Sequence, residues 1–174
     1  MSTLRPAVSS KDNIQGSAGA PIELVEYGDY QCPHCGRAYP ILKNIQAKLD
    51  DQLKFVFRNF PLSKIHPNAT HAAIATEAAA RQHKFWEMHD YIFEHQNRLD
   101  DGSLVRFATL LRLDAAQFAI DFEKQELAQK VEDDFESGVR SGVNGTPSFF
   151  INGQKYDGDW NEAPFLAHLQ SLVK

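Results

Sequence analysis

The sequence predicts an α/β fold: a βαβ unit, then an all-helical insertion, then a ββα unit. Three observations predict it. An apolar run from Ile22 to Tyr27 and an alternating run from Leu53 to Arg58 flank a helical pattern. The long middle stretch, from Pro67 to Gly142, has helical periodicity throughout and no strand candidate. Near the end, Asn152-Gly153 separates two strand-like runs, the strongest short-range hairpin signal.

Each element can be justified in order. Residues 1–20, with the Gly- and Pro-bearing stretch from Gly16 to Pro21, read as a flexible lead-in. Ile22–Tyr27 is apolar on both faces, as a central parallel strand should be. After Cys32, the residues Ala38, Leu42, Ile45 and Leu49 share one helical stripe, with Pro40 expected to kink it. The strand over 53–58 closes a right-handed βαβ unit. The helical insertion is placed at about residues 62–125 within one domain over 21–174. Ser103 is expected to cap one of its helices and Asp114, with Gln117 three residues on, another. Leu127, Val131, Phe135 and Val139 should line the core face of a longer helix ended by Gly142. The charges of Lys124–Glu136 read as its solvated face. A last helix, capped by Asn161 with Pro164 in its first turn, turns Phe165, Leu166, Leu169 and Leu172 inward.

Composition narrows the function. A chain of 174 residues with 43% hydrophobic content can bury a full core. The formal net charge of −5 disfavours nucleic-acid or anionic-membrane partners, and no stretch is apolar enough to span a bilayer. The N-terminus has no apolar signal region, which places the chain in the cytoplasm as written, or outside it if a signal has been removed.

The chemistry is concentrated in Cys32-Pro33-His34-Cys35, the only cysteines in the chain. A dithiol between a strand and a helix meets free N–H groups and the positive end of the helix dipole, both of which favour a thiolate. A structural disulfide ordinarily closes a longer loop, and a zinc site would need ligands that no further cysteine supplies. The remaining histidines form no ligand cluster, so no metal is expected. His34, between the two sulfurs, should favour the Cys32 thiolate and thereby the reduced state, with Asp29 opposing it. Cys32 is expected to be the exposed, low-pKa thiol and Cys35 the shielded one.

Cys32-Pro33-His34-Cys35 resembles the active site of the DsbA-like thiol–disulfide oxidoreductases, in the thioredoxin type 4 branch of the thioredoxin superfamily. Gly145-Thr146-Pro147-Ser148-Phe149-Phe150 resembles that superfamily's cis-proline loop. Phe60-Pro61-Leu62, His66-Pro67-Asn68-Ala69 and Lys84-Phe85-Trp86-Glu87-Met88-His89 resemble the branch's helical domain. The resemblance implies a thioredoxin-like fold. It implies a cis Thr146–Pro147 bond whose backbone faces the dithiol and pairs with an extended substrate. It implies that Glu26 is a buried acid exchanging a proton with Cys35. It also implies protein thiol or disulfide substrates, a recycling partner that the sequence does not identify, and no cofactor. Cys32, Cys35, Pro33, His34 and Glu26 are thus the candidate catalytic residues, and Thr146 and Pro147 the candidate substrate-binding ones. A DsbA-type oxidase is the expected function. A disulfide reductase or isomerase, or a redox-sensing or peptide-binding domain without turnover, is the alternative.

Overall fold

The structure is a computed structural model describing residues 1–174. Its centre is a five-stranded mixed sheet built from β1 (Asn13–Gly16), β2 (Ile22–Gly28), β3 (Leu53–Asn59), β4 (Ser148–Ile151) and β5 (Gln154–Tyr156), in the order β1-β3-β2-β4-β5. β2 and β3 are parallel and the other pairings antiparallel. Helix α1 (Pro33–Leu49) crosses between β2 and β3 and runs unbroken past Pro40. Between β3 and β4 lie α2 (Ala69–Ala80), α3 (Phe85–Glu94), α4 (Asp101–Leu110), α5 (Ala115–Phe122) and α6 (Gln125–Arg140), and α7 (Glu162–Ser171) ends the fold. No helix is long and apolar enough to cross a membrane.

Strand alternation divides the core between the two faces of the sheet. Ile22, Leu24, Phe55, Phe57, Phe149 and Ile151 face α1, α7 and the helical insertion. Val25, Val56 and Phe150 face the other way, with Leu4, Phe60 and Val143, against Phe135 of α6. Glu26 shares the parity of Leu24, which puts its carboxyl on the α1 side. The Asn152-Gly153 turn has positive φ at both residues, 48° and 83°, and connects Ile151 to its partner Gln154 as a two-residue hairpin loop.

The N-terminal twenty residues are not the flexible lead-in that their composition predicts. Asn13–Gly16 pairs antiparallel with β3, and Leu4 is buried in the second core. Gly16 ends β1 at φ +97°, where a Cβ would sit 2.4 Å from the Leu53 carbonyl oxygen. At the opposite edge, the Leu4 N–H bonds the Gly153 carbonyl and the Lys155 N–H bonds the Ser2 carbonyl, both at 2.8–2.9 Å. The segment is anchored mainly by backbone bonds, which leave no apolar period to read.

α6 also departs from expectation. Leu127 and Val131 are buried, but Val139 is exposed, and the inward face continues through Asp134, Ser137 and Gly138. Asp134 accepts from the Asn59 N–H and side-chain amide and from Lys130, at 2.8–3.0 Å. Next to it Arg58 is held by Asp12 at 2.8 and 3.0 Å and by the Tyr27 hydroxyl at 2.9 Å. Glu126, Glu132, Asp133 and Glu136 stay on the exposed face as expected, whereas Lys130 and Asp134 turn inward and close a polar network in which each ion has a partner. Two caps differ as well. Asp100, not Ser103, caps α4, accepting from the Ser103 N–H and hydroxyl. Asn161 precedes α7 without a side-chain cap bond. Asp114 caps α5 through the Gln117 N–H at 3.0 Å, as expected.

Candidate active site

β2 ends at Gly28, and a three-residue turn carries the chain to Cys32 at the N-cap of α1, with Pro33 in the first helical position. Asp29 builds that turn. Its carboxylate accepts the N–H groups of Gln31 at 2.8 Å and Cys32 at 3.2 Å, and on its other oxygen the Leu62 N–H at 2.9 Å and His66 Nδ1 at 2.7 Å. A second brace comes from Gln96, whose amide donates to the Tyr30 and Cys32 carbonyls at 2.9 and 3.0 Å. Gly36 makes room for it: a Cβ there would lie 2.0 Å from the Gln96 side-chain oxygen.

Both cysteines are reduced, and neither is openly exposed. Cys35 is fully buried and Cys32 retains 4% of its surface, so the expected contrast is one of degree. The Asp29 N–H points at the Cys35 sulfur at 3.4 Å, and the Cys32 sulfur lies 3.8 Å from the Thr146 carbonyl oxygen. Thr146–Pro147 is cis. The structure thus brings together Cys32, Cys35, Pro33, Thr146 and Pro147.

The electrostatics separate the two sulfurs. A hydrogen bond from Cys35 holds the Cys32 thiol down at about 5, against the opposing effect of burial. The N–H groups of Cys35 and His34 add to it, and the Thr146 hydroxyl is buried without a hydrogen-bond partner of its own. Burial pushes Cys35 well above the usual thiol range, and its bond to Cys32 and the nearby Glu26 push the same way. Glu26, 2% exposed and with one carboxyl oxygen unpartnered, is pushed up to about 8 by burial first and then by Cys32. At neutral pH the site holds a thiolate, a thiol and a protonated acid side by side. His34 has an exposed side chain, and its backbone N–H is among the groups that lower Cys32.

Two groups escaped the sequence. His66 opens the His66-Pro67-Asn68-Ala69 motif, which marks the helical domain but gives no sign that His66 pairs with Asp29 beside the dithiol. Gln96 had one indirect signal, the unexplained glycine at position 36 inside a helix, which marks a close approach. His89 is buried among aromatic rings, bonded to the Tyr30 hydroxyl at 2.8 Å, and is kept neutral by burial, with the Lys43 charge adding to the effect.

A sulfur at a helix start, a shielded partner sulfur and a cis-proline loop beside them make up a thioredoxin-fold dithiol site. The thioredoxin family model Thioredoxin_4 matches residues 9–171, and the chain belongs to that family. A thioredoxin-like oxidoreductase from Silicibacter pomeroyi superposes with a TM-score of 0.81 at 25% identity, covering 95% of this chain and 91% of that one. Wolbachia pipientis alpha-DsbA1 superposes with a TM-score of 0.84 at 22% identity, covering 95% and 92%. In sequence, the chain is 39% identical over 97% of its length to a segment of the Na(+)/H(+) antiporter NhaA 1 of Mycolicibacterium vanbaalenii. It spans only 28% of the length of that relative.

Proposed function

We propose that the chain exchanges disulfides with protein substrates through Cys32 and Cys35, in the manner of a DsbA-type oxidase. The observation that carries this reading is the Cys32 sulfur at the N-cap of α1, 3.8 Å from the Thr146 carbonyl. That carbonyl and its neighbouring backbone offer an extended peptide a strand edge, which would hold a substrate sulfur against Cys32.

In the oxidised protein, a substrate thiolate attacks the Cys32 sulfur, and Cys35 leaves, taking a proton from Glu26. A second substrate thiolate then attacks the substrate's own sulfur in the mixed disulfide and expels the Cys32 thiolate. The substrate loses two electrons and the protein gains them. Stabilising the departing Cys32 thiolate favours the reduced protein and so the oxidising direction. A partner that removes those electrons is required for turnover.

Oxidative refolding of a reduced protein with two native disulfides tests the reading. The oxidised chain should form those disulfides stoichiometrically, and a Cys32→Ala variant should form none. Faster reduction of insulin by the reduced chain than oxidation of thiols by the oxidised chain would transfer the assignment to a reductase. The identity to an antiporter segment favours a second reading, a redox-sensing module serving a longer membrane protein. Absence of turnover in both assays, with a measurable Cys32–Cys35 redox couple, would support it.

A further inference from the structure

We propose that Arg37 and Trp160 form a receptor for a carboxylate of the substrate peptide, close to the cysteine that reacts with Cys32. The proposal rests on the disulfide-exchange reading above and names the substrate class that the site selects.

Arg37 is exposed on α1, yet it is not free. Its guanidinium carbon stands 4.0 Å from the centre of the Trp160 ring, and its Nη1 donates to the Asn161 side-chain oxygen at 3.1 Å. Asn161 is fixed in turn, because its N–H and its amide nitrogen both donate to one Asp159 oxygen at 2.8 Å. Trp160 packs against Phe149, its ring centre 6.2 Å away. Ring and amide pin the guanidinium, so little side-chain entropy remains to be lost when it binds.

What it lacks is an anion. Arg37 makes no ion pair in a chain of formal charge −5, a state it shares with the exposed Arg98, Arg106 and Arg112, but of these it alone is held by a ring and an amide. Its Nε and Nη2 donors have no partner, and these two nitrogens present the fork that matches a carboxylate.

Position ties the pair to the dithiol. Arg37 follows Cys32 by five residues, about 7.5 Å along a helix axis. Phe149, on which Trp160 rests, follows Pro147 by two residues, and the Thr146 carbonyl meets Cys32. Both sides of the receptor therefore descend from elements that converge on the reacting sulfur. Two residues of extended chain span about 7 Å, which matches that axial rise and makes two positions from the substrate cysteine the spacing to test. An Asp or Glu side chain or a chain-terminal carboxylate there supplies the same chemistry.

The test is oxidation of cysteine peptides by the oxidised full chain, which yields the reduced chain and a disulfide-linked peptide dimer. The peptides carry Glu, Gln or Lys two positions from cysteine. A further pair ends at that position with a free or an amidated C-terminus. The wild-type rate constant should favour Glu over Gln by about two- to fivefold at low salt, disfavour Lys, and lose the preference in high salt. The Glu-to-Gln ratio should fall to about one in Arg37→Gln and decline in Trp160→Leu, while Arg37→Lys keeps part of it. A preference for the free over the amidated terminus would identify the terminal carboxylate as a second source. Equal wild-type rates for the three side chains and for the two termini, or an unchanged ratio in Arg37→Gln, would overturn the proposal. Failure to oxidise any peptide would overturn it together with the disulfide-exchange reading.

Discussion

The Asp29 carboxylate and the His66 imidazole, 37 residues apart in sequence, meet at 2.7 Å beside the turn that carries Cys32. Asp29 is 1% exposed and also holds three backbone N–H groups, so one side chain joins the end of β2, the start of α1 and the loop after β3. The position of the reactive sulfur thus depends on a carboxylate that never touches it.

Asp29→Ala should lower stability by about 3 kcal/mol, since it strands the bonded N–H groups and leaves His66 without its partner. Urea unfolding of the reduced protein measures this. A loss below about 1 kcal/mol would mean that water replaces the carboxylate freely.

Cys32 should be alkylated by iodoacetamide with an inflection near pH 5, while Cys35 stays unmodified in the folded protein. A thiol pKa lowered by folding contributes stability that is fully present above the unfolded thiol pKa and is lost as pH falls through the folded value near 5. The reduced protein should therefore melt above the oxidised one at neutral pH, with the gap closing toward pH 5. A higher melting point for the oxidised form at neutral pH would contradict the oxidising direction.

Glu26→Gln should stabilise the reduced protein at high pH and leave it nearly unchanged at pH 4. The Glu26 pKa is raised by folding to about 8, so the contribution of this carboxyl to stability falls as pH rises from the unfolded value of 4.5 through 8 and levels off above it. The gain at pH 9 should be on the order of a few kcal/mol. A variant whose advantage is the same at pH 4 and pH 9 would show that the carboxyl does not titrate in this window.

Asp12→Ala should cost about 3–5 kcal/mol, because it leaves the Arg58 guanidinium, whose side chain is 3% exposed, without its counter-charge. Amide exchange should accelerate across residues 1–16 as well as β3. Exchange confined to the mutated residue would mean that the N-terminal segment is held by its backbone bonds alone.

The sequence made legible what depends on short-range pattern. β2, β3 and the helix between them appear within a residue of their expected bounds, because apolar alternation and a helical stripe are local signals. The dithiol and the hairpin turn are compact motifs of the same kind, whereas the cis bond rests on the resemblance that joins Pro147 to the distant dithiol. What escaped was long-range or polar. β1 has only four residues, with Ile14 37% exposed, and is recruited by the backbone of β3. Lys130 and Asp134 look like a solvated i,i+4 pair until Asn59, Glu77 and Arg58 close over them. Val139 was assigned to the core by period alone, yet Gly138 and Ser137 occupy that face. The Asp29–His66 and Gln96 braces join residues far apart in the chain, and no local window contains both partners.

The bonds from Ser2 and Leu4 to the β4–β5 hairpin bear on how this chain behaves in concentrated solution. An unpaired hairpin edge is a template on which another molecule's backbone can dock, and repeated docking builds aggregates. Here the chain's own first residues occupy that edge at Gly153 and Lys155. Trimming them would uncover an adhesive border with little change to the dithiol, and a shortened protein could retain its chemistry while losing its colloidal stability.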